Sequence, residues 1–165
     1  MTGPAAVHGL LNLLEDVGIE CVVAGGWGVD ALVGRQTRDH GDLDVILPAD
    51  DESTAIEALT GAGFEISTDW RPIRFAMTHP DGREIDLHPV RQGPDGSMIQ
   101  EVFEGHLTYP ADEITTGIID RRLVRCISAA LQIRFHDGYE PQEKDRADVA
   151  TLCAATGLEP PAAYR

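Results

Sequence analysis

Ile19-Glu20-Cys21-Val22-Val23-Ala24-Gly25-Gly26-Trp27 runs from a β-branched segment into a pair of glycines, and Asp42-Leu43-Asp44-Val45-Ile46-Leu47 follows it. The first segment predicts a buried strand over Ile19–Ala24 that breaks at Gly25-Gly26 and enters a short helix over Trp27–Val33, ended by Gly34. The second predicts a strand over Asp42–Leu47, stopped by Pro48. Side chains alternate along a strand, so Leu43, Val45 and Leu47 point into a core while Asp42 and Asp44 share the other face. Much later, Glu84-Ile85-Asp86-Leu87-His88 repeats the pattern: Ile85 and Leu87 face inward, and Glu84, Asp86 and His88 face outward together.

An Asp-x-Asp pair alone says little in a chain with sixteen aspartates. The apolar flanks of Asp42 and Asp44, the upstream glycine pair and a second flanked acid at Asp86 make the combination specific. Three neighbouring carboxylates raise one another's pKa unless a cation neutralises them. Mg²⁺ suits such a set, because it prefers a few carboxylates plus substrate phosphates to a closed protein cage. Backbone N–H groups at a helix N-terminus receive phosphate oxygens, and Gly25 and Gly26 let a phosphate come close, although a tight turn alone would also use them. The Gly-Lys-Ser/Thr ending of a P-loop is missing, and so is a dinucleotide fingerprint. The residues therefore suit holding a nucleoside triphosphate through metal ions and moving its nucleotide to another molecule.

Around this centre, Ala5–Val17 carries a helical stripe of Val7, Leu10, Leu11, Leu14 and Val17. A helix is expected over 51–59, strands over 64–67 and 74–78, and a hairpin at Asp81-Gly82 leading into a strand over 83–90. Residues 92–97 read as a glycine- and proline-rich loop. Two β-branched runs within 114–127 flank Asp120-Arg121-Arg122 and read as a strand pair. Ser128 caps a helix to Phe135, Asp137-Gly138 interrupts, and Pro141 opens a last helix to Thr156. The fold class is α/β (α+β): a mixed sheet, antiparallel at its edges, with helices packed on it. Residues 1–165 are expected to form a single domain, with 128–156 as a C-terminal helical segment.

Composition bounds the partners. A hydrophobic content of 42% in 165 residues is that of a globular chain. No apolar run is long enough to cross a bilayer, and no leader-like segment opens the chain, so a cytoplasmic protein is expected. Cys21, Cys126 and Cys153, odd in number and set among apolar residues, read as reduced thiols. A net charge of −15 disfavours DNA and RNA and favours a small cationic substrate.

The chain resembles the nucleotidyltransferase superfamily, whose pattern is a glycine turn, an apolar-flanked Asp-x-Asp and a later lone Asp. More narrowly, Ala24-Gly25-Gly26-Trp27-Gly28-Val29-Asp30-Ala31-Leu32 and Gly34-Arg35-Gln36-Thr37-Arg38-Asp39-His40-Gly41-Asp42-Leu43-Asp44 are similar to the small lincosamide and aminoglycoside nucleotidyltransferases. So are Ile85-Asp86-Leu87-His88-Pro89-Val90, Arg134-Phe135-His136-Asp137-Gly138-Tyr139 and Lys144-Asp145-Arg146-Ala147-Asp148. The resemblance implies Mg²⁺-dependent transfer of AMP from ATP to a hydroxyl of a drug, with release of pyrophosphate. It implies that Asp42 and Asp44 hold metal ions and that Gly25 and Gly26 cradle the outer phosphates. Asp86 takes the acceptor's proton or serves as a third metal ligand.

Lys144 reaches a phosphate or the ribose, or remains a solvated helix charge. Arg35 and Arg38 stabilise pyrophosphate, or balance local acids. His88 is expected to make a structural hydrogen bond, Trp27 to pack in the core, His40 to shape the site, and Phe135 and Tyr139 to pack or to line the acceptor pocket. Larger members carry a separate C-terminal helical bundle, which residues 128–165 only abbreviate. The acceptor pocket is then open or completed by a second subunit, and a homodimer is expected. The rival readings are a toxin-like nucleotidyltransferase acting on protein or tRNA, a non-catalytic nucleotide-binding module, and a metal-dependent phosphohydrolase.

Overall fold

A computed structural model describes residues 3–137 and 139–165; Gly138, expected within the break between the last two helices, lies outside the described residues. Helix α1 (Pro4–Glu15) buries Val7, Leu10, Leu11 and Leu14, the stripe that its spacing demands. Ile19 N–H then bonds back to Leu14 O at 3.0 Å. That bond engages the backbone with the helix end, so strand β1 is only Val22–Val23 and not the longer Ile19–Ala24 expected. Helix α2 (Gly25–Val33) includes both glycines in its first turn, with Ala24 as N-cap and left-handed Gly34 closing it.

Strand β2 (Leu43–Pro48), helix α3 (Glu52–Gly61) and strands β3 (Glu65–Trp70), β4 (Arg74–Thr78) and β5 (Glu84–Gln92) follow. Asp81-Gly82 sits in the β4–β5 turn, where His79 N–H bonds to Arg83 O at 2.9 Å. Residues expected as plain loop lead into a hairpin of β6 (Met98–Val102) and β7 (Gly105–Tyr109), which the sequence reading does not contain. Strands β8 (Ile114–Ile119) and β9 (Arg122–Ile127) are joined by Asp120-Arg121, both at positive φ, the geometry of a two-residue hairpin turn. Ser128 Oγ accepts from Leu131 N–H and caps α4 (Ala129–Phe135), and α5 (Glu143–Thr156) ends at left-handed Gly157.

The sheet order is β3-β4-β5-β2-β1-β9-β8, with β6 and β7 continuing from the far end of β5. Two pairings are parallel, β2 with β5 and β1 with β9; the others are antiparallel, so the sheet is mixed as expected. The β2–β5 pairing matters most. It sets Leu43 opposite Ile85, Asp44 opposite Asp86 and Val45 opposite Leu87. Leu43, Val45, Ile85 and Leu87 are fully buried against α1 and α3. Because that face is apolar, a one-residue slip would bury the acids and expose the aliphatics, and the register is fixed. On the opposite face Ile46, Val22 and Ile127 pack with Tyr109 and with Leu131 of α4. Among the described residues, no helix is long and apolar enough to cross a membrane.

Candidate active site

The acids of β2 and β5 open into a cleft of about 1020 Å³ that also contains Gly25, Gly26, Arg38, Asp42 and Lys144. One oxygen each of Asp44 and Asp86 and a ring nitrogen of His88 lie within 4.8 Å of one another. Asp42, one residue before β2, lines the cleft without joining that converging group.

Asp86 is nearly buried, at 9% exposure. Its Oδ2 accepts a charge-assisted hydrogen bond from Arg74 Nη1, while its Oδ1 is buried with no hydrogen-bond partner among the described residues. Burial pushes the Asp86 carboxyl up to about 6; His88 and Arg74 pull it down, and the charges of Asp44 and Asp42 push it up. Burial and the Asp44 charge also raise Asp42, against the pull of Lys144 and Arg38.

Asp44 is oriented from the hairpin that the sequence reading missed. Gln100 on β6 donates from Nε2 to Ile73 O at 3.0 Å and to His88 Nδ1 at 3.1 Å, and its Oε1 accepts from Tyr109 Oη. With Nδ1 accepting, the ring proton sits on Nε2, which donates to Asp44 Oδ1 at 3.2 Å. Burial lowers the His88 pKa, and the hydrogen bond and charge of Asp44 outweigh it and raise it overall. His88 is thus tied on both nitrogens and acts on Asp44, the structural hydrogen bond expected of it. Partners that aim a charged ligand in this way typically matter by about 10–100-fold in metal affinity or activity. Gln100→Leu is therefore expected to lower turnover within that range and to raise the metal concentration needed for half-maximal rate, both read by steady-state kinetics across a metal titration.

The helix N-terminus stands beside these acids. Ala24 N–H bonds to Asp44 O at 3.0 Å, which locks the start of α2 to β2. Gly25 has φ +58°, and a Cβ there would lie 2.0 Å from Asp44 Oδ2. The turn and the acid are therefore in contact, and only glycine fits. Arg38 and His40 lie over Gly26, with Arg38 fixed by Asp148 of α5 through bonds of 2.9 and 2.7 Å. His40 is buried, stacks on Trp27 at 4.6 Å and bonds through Nε2 to Asp30 Oδ2. Asp30 Oδ1 takes Thr37 N–H and Oγ1–H at 2.9 and 2.6 Å, so this buried acid on α2 shapes the whole loop to Asp42.

The structure separates two arginines that the sequence reading treated alike. Arg38 lines the cleft, whereas Arg35 lines a small separate depression with Trp27, Asp30 and Ile118, away from the acids. This placement lends no support to Arg35 as a phosphate contact. Trp27 is core, at 1% exposure. Phe135 and Tyr139 line the cleft, and Phe135 meets Tyr109 edge-on at 5.1 Å.

A family model for aminoglycoside-2''-adenylyltransferase matches residues 6–152. The chain belongs to this family. Among its relatives, the lincosamide resistance protein of Staphylococcus haemolyticus is 33% identical over 148 residues, 89% of this chain and 92% of the relative. The 2''-aminoglycoside nucleotidyltransferase of Escherichia coli is 27% identical over 126 residues, 74% of this chain and 66% of the enzyme. The crystal structure of the lincosamide antibiotic adenylyltransferase LnuA, lincomycin-bound, superposes with a TM-score of 0.82 at 32% identity, covering 91% of this chain and 96% of that one. The resemblance and the nucleotidyltransferase-type mixed sheet are both borne out, and the chain is a nucleotidyltransferase. The toxin-like and binding-module readings are not favoured.

The family implies a nucleoside triphosphate and a divalent cation. The donors fit a hard cation: carboxylate oxygens of Asp44 and Asp86, one of them buried and unpartnered, with Asp42 on the same cleft. Asp44 and Asp42 would hold it, beside the Asp86 carboxylate.

Proposed function

We propose that this chain transfers AMP from ATP, with Mg²⁺, to a hydroxyl of a lincosamide or aminoglycoside antibiotic and releases pyrophosphate. The observation that carries the reading is the register of Asp44 opposite Asp86, with an unpartnered carboxylate oxygen, in contact with the glycine turn. The acceptor oxygen forms a bond to the α-phosphorus as the bond from that phosphorus to the β-phosphate oxygen breaks. The hydroxyl proton passes to the Asp86 carboxylate, and the pyrophosphate leaves. Bound Mg²⁺ would neutralise charge on the phosphates and hold them in line.

Gly25 and Gly26 supply N–H groups to the outer phosphates at the positive end of α2. Lys144 and Arg38, both on the cleft, balance the leaving pyrophosphate. Helices α4 and α5 close the cleft as part of one nucleotidyltransferase domain that works in the cytoplasm, where ATP and Mg²⁺ are available. Incubation of a panel of antibiotics with protein, ATP and Mg²⁺, followed by mass spectrometry, should show a product heavier by AMP. A panel with no such product, or ATP hydrolysed without any acceptor, would sink this reading.

The raised Asp86 carboxyl sets a pH dependence. A proton acceptor must be ionised, so kcat/KM should climb as pH rises through about 6 and level off above it. A pH–rate profile that is flat from 5 to 8 would remove Asp86 from this role. Stability runs the other way. The folded state holds this proton more tightly than the unfolded state, at 3.8, so the group favours folding below that value. Its contribution is lost as pH rises through about 6.

A further inference from the structure

Asp86 does not face the cleft as a bare charge. Arg74, at the start of β4, donates to its Oδ2, and the same guanidinium lies 4.4 Å from the ring centroid of Trp70. Trp70 pairs with Arg74 across the β3–β4 hairpin, and its ring lies 6.0 Å from that of Phe103. The two rings are exposed at 49% and 77%. A carboxylate on one side and an aromatic face on the other hold the cation in a single place, where its charge and its π contact are both satisfied. The cleft it lines also carries the apolar side chains of Ile73, Val102 and Leu107.

An acceptor that brings its hydroxyl to Asp86 must pass this arrangement. An ammonium group next to the reacting hydroxyl would meet the fixed guanidinium and find the carboxylate already compensated. An uncharged, partly apolar portion would meet Ile73, Val102 and Leu107 at no such cost. The chain's charge of −15 and the Asp42, Asp44, Asp145 and Asp148 carboxylates on the cleft draw a polycation in more strongly than a monocation, so rejection of a polycation falls to the group beside the reacting hydroxyl. The choice is local. We propose that Arg74 is a specificity-determining residue: paired with Asp86 and stacked on Trp70, it admits acceptors with an apolar, uncharged portion beside the reacting hydroxyl and repels polycationic ones. The preferred substrate class is then the monocationic, partly apolar lincosamides over the aminoglycosides. This inference rests on the adenylyl-transfer reading above and adds a repulsive element to it, the usual means by which a site rejects a competitor.

The test compares kcat/KM for lincomycin, with a single amine, and tobramycin, with several, in the wild-type protein, Arg74→Met and Arg74→Lys. Wild type should favour lincomycin. Arg74→Met removes the charge while keeping an unbranched side chain, and should shift the ratio toward tobramycin by about tenfold or more, mostly through KM for tobramycin. Arg74→Lys keeps the charge and should keep a ratio near that of wild type. A ratio unchanged in Arg74→Met, with both acceptors slowed alike, would reduce Arg74 to a structural contact and overturn the inference while leaving adenylyl transfer intact. So would a wild-type preference for tobramycin. Transfer to neither drug by the wild type would instead overturn the parent reading, and this one with it.

Discussion

Asp44→Asn should abolish nucleotide transfer, by about a thousandfold or more in kcat, in a protein whose thermal midpoint is equal to or above that of the wild type. The substitution keeps the shape and the hydrogen bond from His88 Nε2 but removes the charge. Asp44 stands opposite Asp86 across a parallel pairing, with an oxygen of each and a ring nitrogen of His88 within 4.8 Å of one another. In that position its charge is the attraction that holds a cation and, through it, a triphosphate; loss of a preorganised electrostatic contact of this kind costs about 10²–10³ in kcat even when it is a single neutral donor. The fold does not depend on it. The core lies on the other face, at Leu43, Val45, Ile85 and Leu87, and the carboxylates repel one another when no cation is present. Asp42→Asn should follow the same pattern. Turnover with saturating ATP and acceptor, beside a thermal melt, measures both halves; near-normal turnover in Asp44→Asn would remove the assigned role.

Gly25→Ala should separate the site from the backbone. An alanine there must adopt φ +58° and place its Cβ 2.0 Å from Asp44 Oδ2 and 2.7 Å from Asp44 Cγ. The left-handed conformation costs about 1–2 kcal/mol for a residue with a Cβ. The contact forces the Asp44 carboxylate to swing away, and displacement of a reacting group by about 1 Å is worth about 10² in rate. The expected outcome is a melting temperature lowered by about 2–8 °C and a turnover reduced about a hundredfold or more. Gly34→Ala is the control. Gly34 also has positive φ, +72°, but a Cβ there meets nothing within 4 Å. It should lose comparable stability and keep its activity. Equal activity loss in the two variants would mean that general destabilisation, and not contact with Asp44, is responsible.

Much of this centre is legible in the amino acids because it is local. Leu43-Asp44-Val45 and Ile85-Asp86-Leu87 each declare two faces by alternation, and Asp81-Gly82 declares the hairpin that delivers Asp86. What pairs with β2 is not local. Its parallel neighbour β5 arrives only after α3, β3 and β4, and no spacing records that register. Gln100 and Tyr109 were missed because the β6–β7 turn is Phe103-Glu104, which lacks the Asn-Gly or Asp-Gly chemistry that marks a hairpin. Asp30 was missed because it looks like an exposed helix acid until His40 and Thr37 fold back over it. Arg35 and Arg38 differ only in which hollow the loop carries them to, a property of the turn and not of the residue type. Arg74 gave no signal in the sequence at all; its meaning comes from Asp86 and Trp70 on two neighbouring strands.

The most direct measurement is a crystal structure of the protein grown with Mn²⁺ in place of Mg²⁺ and a non-hydrolysable ATP analogue, with the metal located by its anomalous scattering. A metal peak is expected at the carboxylates of Asp42 and Asp44, beside Asp86, with a triphosphate lying over the first turn of α2 at Gly25 and Gly26. Metal held elsewhere, or a triphosphate seated away from that turn while Asp42 and Asp44 remain unliganded, would be the contrary result.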